Sequence, residues 1–101
     1  MIIRPIDKER LLNFFSAVDT PFEVWAFGSR VNGDAHETSD LDLVVRNKNG
    51  EVMPIDSMQK LKQQIQDSNI PILVELFDWA RLPENFQKNI SSKFEVFYTS
   101  K

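Results

Sequence analysis

Asp40 and Asp42 flank Leu41 in the stretch Asp40-Leu41-Asp42-Leu43-Val44-Val45, and shortly before it the apolar run Phe22 to Phe27 ends in Gly28-Ser29. On a strand, alternate side chains share a face, so both aspartates point one way while Leu41, Leu43 and Val45 point the other, into a core. A Gly-Ser turn opening a helical turn presents backbone N–H groups and a hydroxyl to a phosphate. A phosphate cradle beside paired carboxylates is the equipment for metal-assisted chemistry on a nucleoside triphosphate. The aspartate pair alone would more often be a solvated strand face. Two like charges on one face repel, however, and a divalent cation removes that repulsion; carboxylates suit hard Mg²⁺.

Glu75 is the third acid of interest. It interrupts the apolar run Ile72 to Phe77, which reads as an inner strand, where an unpartnered carboxylate is costly. If that strand lies beside Asp40-Leu41-Asp42, the inter-strand spacing of about 4.8 Å brings the three acids together. Three converging carboxylates are able to hold two Mg²⁺ ions about 4 Å apart. Asp78 is the rival, but its parity is opposite to that of Glu75, so the two do not share a face of a regular strand. An edge strand or a local salt bridge would be the plainer account of Glu75. Gly33 would permit positive φ or a close backbone approach to a ligand. Arg30 and Lys48 are within the range of phosphate contacts, although each is also an ordinary solvated charge, and the lone His36 reads as surface. The glycine pattern is neither a Walker A loop nor the dinucleotide fingerprint.

The elements that must hold these residues follow from apolar spacing. Asp7 to Val18 reads as a helix, with Leu11, Phe14 or Phe15, and Val18 at helical spacing and Asp7 as a cap. Phe22 to Phe27 reads as a buried strand, Gly28 to Glu37 as a turn with a short helix or loop, and Ser39 to Arg46 as a second strand. Asn47-Lys48-Asn49-Gly50 signals a turn. Pro54 to Asp67 reads as an amphipathic helix carrying Ile55, Met58, Leu61 or Lys62, and Ile65 as its stripe. The strand from Ile72 to Phe77, a short helix from Pro83 to Ser91 with Phe86 and Ile90 at i, i+4, and a strand from Phe94 to Tyr98 complete the chain. The expected architecture is an α/β (α+β) sandwich: one mixed sheet with helices mainly on one face.

Composition narrows the classes. The 101 residues suit one small domain, 1–101, and 42% hydrophobic with 27% charged residues is ordinary globular usage. Eight Phe and two Trp can fill a dense core or form a partner surface. Cysteine is absent, which excludes disulfide scaffolds and thiolate zinc sites. No apolar run reaches the length of a membrane span, and Arg4-Pro5 comes too early for a signal peptide, so a cytoplasmic protein with no membrane partner is expected. A net charge of −3 argues against broad nucleic-acid binding, whereas a mononucleotide held through a cation is compatible with it.

The order Gly28-Ser29, Gly33, then Ser39-Asp40-Leu41-Asp42-Leu43 resembles the signature of the DNA polymerase beta-like nucleotidyltransferase superfamily. More closely, the chain is similar to the minimal nucleotidyltransferases (MNT), small proteins often encoded beside a HEPN-domain partner. Val74-Glu75-Leu76-Phe77-Asp78-Trp79 with Leu82-Pro83 and Phe86 resembles the family's third-carboxylate strand and following helix. The resemblance implies a nucleotidyltransferase fold in which Asp40, Asp42 and Glu75 are catalytic and hold two Mg²⁺ ions. Glu75 stands where the family usually has Asp. It further implies that Gly28, Ser29, Arg30, Gly33 and Ser39 lie on the nucleotide side, with Ser29 and neighbouring N–H groups holding the triphosphate of ATP or another NTP. The implied reaction is attack of an acceptor hydroxyl on the α-phosphorus, releasing pyrophosphate. Larger relatives carry an additional helical domain for base or acceptor, for which nothing is left over here, so a partner is expected to supply that surface or be the acceptor. The MNT–HEPN pairs imply an antitoxin that transfers AMP to a HEPN ribonuclease toxin. A binding antitoxin without catalysis and a small-molecule transferase are the alternatives.

Overall fold

Helix α1 (Pro5–Ser16) begins where Pro5, whose missing N–H costs nothing in a first turn, fixes φ for helix entry. In the computed structural model, which describes residues 3–32 and 40–100, its Leu11 and Phe15 are fully buried. Asp7 does not cap this helix as expected. The helix starts before it, Arg4 occupies the cap position without a side-chain cap bond, and Asp7 is buried inside the first turn. There its carboxylate accepts from Arg4 Nε at 2.8 Å and Nη2 at 3.1 Å. That guanidinium holds the Asp7 carboxyl below the usual carboxylate range, against the opposing effect of burial.

Strand β1 (Phe22–Phe27) falls where the apolar run predicts it, and it is followed by the one-turn helix α2 (Ser29–Asn32). Strand β2 (Leu41–Asn47) starts two residues later than the expected Ser39, so Asp40 lies immediately before it. A turn closed by Gly50 N–H donating to the Asn47 carbonyl at 2.9 Å leads towards α3 (Ile55–Asp67). Met58, Leu61 and Ile65 of α3 are buried. Ile55 is 59% exposed and Lys62 is on the solvent side, so the stripe runs through Leu61. Strand β3 (Val74–Asp78), a 3₁₀ turn at Trp79–Arg81, α4 (Glu84–Ser92) and β4 (Glu95–Thr99) follow.

The four strands form one mixed sheet in the order β3-β2-β1-β4. β1 pairs antiparallel with both β2 and β4. β2 and β3 run parallel, which requires the crossover that α3 supplies. One sheet face, with Val24, Ala26, Leu41, Leu43 and Val45, packs with Leu11, Phe15, Leu61 and Ile65 of the two longer helices into the main core. The opposite face is covered in part by aromatics. Phe86 of α4 meets Phe27 and Phe77 at ring-centroid distances of 6.1 and 6.2 Å, and Phe94 stacks on Trp25 at 3.8 Å. The Arg46 guanidinium lies 3.9 Å from the Trp25 ring and 4.6 Å from Trp79, and it donates to Glu23 Oε1 at 2.8 Å. This second layer is why Val44, on the face away from the main core, has no solvent exposure.

The strand bearing Glu75 corrects one expectation. β3 is the edge of the sheet, not an inner strand, and Glu75 is exposed. The apolar run reflects Leu76 facing the core and Phe77 joining the aromatics of the second face. Burial of the strand on both sides is not required.

Candidate active site

Two adjacent strands and one turn build the site. In the parallel β2–β3 pair Asp42 stands directly opposite Glu75, so the two carboxyls project from the same face at the closest inter-strand spacing. Across the antiparallel β1–β2 pair, Phe27 is opposite Asp42, and the chain turns away at Gly28. Gly28 has φ +83°, and a Cβ there would sit 2.5 Å from Asp42 Oδ2. The glycine therefore serves two needs at one point: a left-handed backbone and room for a carboxylate pressed against the turn.

The electrostatics match this crowding. The Asp42 carboxyl is pushed up to about 6, first by loss of solvent and then by the nearby Glu75 and Asp40 charges and the hydrogen bond from Glu75. Asp40, Asp42 and Glu75 thus act on one another across the end of the sheet. Ser29 opens α2 beside them, and the Gly28 carbonyl accepts from Val31 N–H at 3.0 Å to close the turn. Arg30 is only 4% exposed, so it is not the solvated surface charge that an arginine in a polar loop would suggest. Gly33, Ser39 and His36 lie outside the described residues.

Asp78 has a different task. It is 6% exposed and accepts from Met53 N–H at 2.9 Å and Ala80 N–H at 3.3 Å, with Arg81 Nε 3.4 Å away. It ties the entry to α3 and the 3₁₀ turn to the end of β3, on the face away from Glu75. Lys48 is also removed from the acids: its Nζ donates to the Ser100 carbonyl at 2.5 Å.

The donor set suits a hard divalent cation. Among the described residues no cluster of three His, Cys, Asp or Glu side chains is drawn together closely enough to hold a metal ion. Mg²⁺ at nucleotide sites needs fewer, taking one or two carboxylates and completing its octahedron with phosphate oxygens and water. Asp42 and Glu75 are such a pair, and a cation would offset both the burial and the neighbouring charge that raise the Asp42 carboxyl.

This combination of a Gly-Ser turn on one inner strand, an acid on the next and a facing acid on the third defines a class. The chain belongs to the polymerase beta nucleotidyltransferase family, whose model matches residues 9–101. One relative, a probable protein adenylyltransferase MntA of Haemophilus influenzae, is 39% identical over 77 residues, covering 74% of this chain and 64% of the relative. The matched region therefore spans somewhat under two thirds of that protein. Solved structures share the fold. A toxin–antitoxin crystal structure with AMP-PNP matches with a TM-score of 0.72 at 16% identity, covering 93% of this chain and 74% of the other. A tri-AMPylated Shewanella oneidensis HEPN toxin in complex with MNT antitoxin matches with a TM-score of 0.68 at 12% identity, covering 97% and 74%. No helix among the described residues is long and apolar enough to cross a membrane.

Proposed function

We propose that this protein is a Mg²⁺-dependent nucleotidyltransferase of the cytoplasm that transfers AMP from ATP to a hydroxyl of a HEPN-domain partner, acting as the antitoxin of the pair. The observation that carries the reading is the convergence of Asp42 and Glu75 on adjacent strands with the Gly28 backbone pressed against the Asp42 carboxylate. The relative named a protein adenylyltransferase supports the reaction class, and the solved toxin–antitoxin fold neighbours support the partner class.

Asp42 and Glu75 would hold the cation, with the charge of Asp40 beside them; when bound it would lower the pKa of the attacking hydroxyl and neutralise charge developing on the phosphoryl oxygens. The chain's own residues bind and orient. Ser29 and the N–H groups of the turn hold the phosphates, with Arg30 beside them. In the reaction a bond forms between the acceptor oxygen and the α-phosphorus as the hydroxyl proton is lost to solvent, the bond to the bridging oxygen breaks, and pyrophosphate leaves with its electron pair. No side chain needs to form a covalent intermediate; positioning and charge stabilisation are the protein's contribution.

The test is label transfer from ATP radiolabelled at the α-phosphate, with Mg²⁺ and the encoded HEPN partner. Label is expected on the partner, and Asp42→Ala should abolish it. Complex formation and toxin neutralisation without any label transfer would overturn the catalytic reading.

A further inference from the structure

A small cavity lies beside the phosphate turn, on the face of the sheet that carries the acids. Its walls are Phe27 and Gly28 from the end of β1, and Phe86, Asn89, Ile90 and Lys93 from α4 and its end, around about 220 Å³. We propose that this cavity is the nucleobase subsite of the triphosphate substrate, with Phe86 as the stacking surface and Asn89 as the residue that reads the base edge. The proposal rests on the nucleotidyl-transfer reading above.

Size, lining and position agree. Drug-sized ligands occupy cavities of about 300 Å³ or more, so this one suits a single ring system. Phe86 is held edge-on to Phe27 with an interplanar angle of 90°, yet it remains 39% exposed. An aromatic ring fixed by its neighbours and still open to solvent is a platform on which any base can stack. Residues 86, 89 and 90 recur at helical spacing, so α4 aims them at the same side, and Lys93 follows in extended backbone just past the helix end. Of these, Ile90 is buried as the anchor, while Asn89 and Lys93 are exposed. A carboxamide offers a donor and an acceptor side by side, the pattern that matches adenine N6 and N7. Lys93 supplies positive charge on the side of the cavity away from the acid pair. Gly28 is shared between the cavity and the site, so a base bound here stays joined to phosphates at the turn. α4 would then perform, within this chain, a base-holding task that a partner was expected to supply.

The experiment is calorimetric titration of the wild type, Asn89→Ala and Phe86→Leu with ATP, GTP and tripolyphosphate, each in Mg²⁺. Wild type should bind ATP about tenfold more tightly than tripolyphosphate and more tightly than GTP. Asn89→Ala should erase the preference for ATP over GTP, and Phe86→Leu should bring both nucleotides close to tripolyphosphate. Neither change should alter the affinity for tripolyphosphate, which a general disturbance of the fold would lower. Equal binding of ATP and tripolyphosphate by the wild type, or variants indistinguishable from it, would overturn the subsite and leave nucleotidyl transfer standing. Failure of all three ligands to bind would remove the phosphate site itself, and both readings with it.

Discussion

At the scale of single residues, Asp42 is held in an environment that favours its neutral form, and stability should carry that signature. With a carboxyl raised to about 6 in the folded protein against about 3.9 in an unfolded chain, the native state binds more protons between those values. Stability therefore falls as pH rises from about 4 through 6 and is level above. Asp42→Asn removes the penalty. In the absence of divalent cations it should stabilise the protein at pH 7 by about 1 kcal/mol, a figure reduced for a carboxyl that keeps partial solvent contact. Thermal melts at pH 7 and pH 4 check this, since the gain should vanish at the lower value. Gly28→Ala should do the reverse. It places a methyl where Asp42 Oδ2 lies and forces an alanine to φ +83°, costing about 1–2 kcal/mol from the left-handed backbone alone. Denaturant unfolding would measure it, and an unchanged midpoint would contradict the packing described.

At the scale of elements, the entry to α1 depends on one ion pair rather than on a cap. Arg4→Ala would leave the buried Asp7 carboxylate without its principal partner and should destabilise the protein at pH 7. Because the Asp7 carboxyl is lowered in the folded state, its contribution is present above the ordinary carboxylate range and is lost as pH falls through the depressed value. The mutant and wild-type midpoints should accordingly converge in acid, which urea melts across pH will show. The same element indicates how far sequence could lead. Apolar spacing located the three longer helices and the four strands to within a few positions, and parity separated Glu75 from Asp78. The role of Asp7 was not readable, because a capping aspartate and an ion-paired one look alike until the helix start is known. The depth of Glu75 was not readable either: an apolar run of that length fits an edge strand with both faces partly covered as well as an inner one. The pairing of β2 with β3, on which the acid pair depends, was an assumption that only the sheet order could decide.

At the scale of the whole molecule, the chain closes on itself late. β4 is the outer neighbour of β1, and Phe97 and Tyr98 lie against Phe15 and Phe22. Phe22 N–H donates to Ser100 Oγ and Ser100 N–H to the Phe22 carbonyl, each at 2.9 Å. Shortening the chain after residue 93 would expose both rings, and far-UV circular dichroism should show no cooperative melt. A cooperative transition near the wild-type temperature would contradict the closure described.

Both strands that converge at the acid pair, and the turn beside it, precede β4 in the chain, yet β1 is paired on only one side until β4 arrives. Synthesis therefore joins every residue of the acid pair and its turn into the chain before the strand that pairs with the other side of β1. The ingredients for nucleotide binding thus come earlier in the chain than part of the frame that holds them, and β4 is the piece that supplies the second partner of β1.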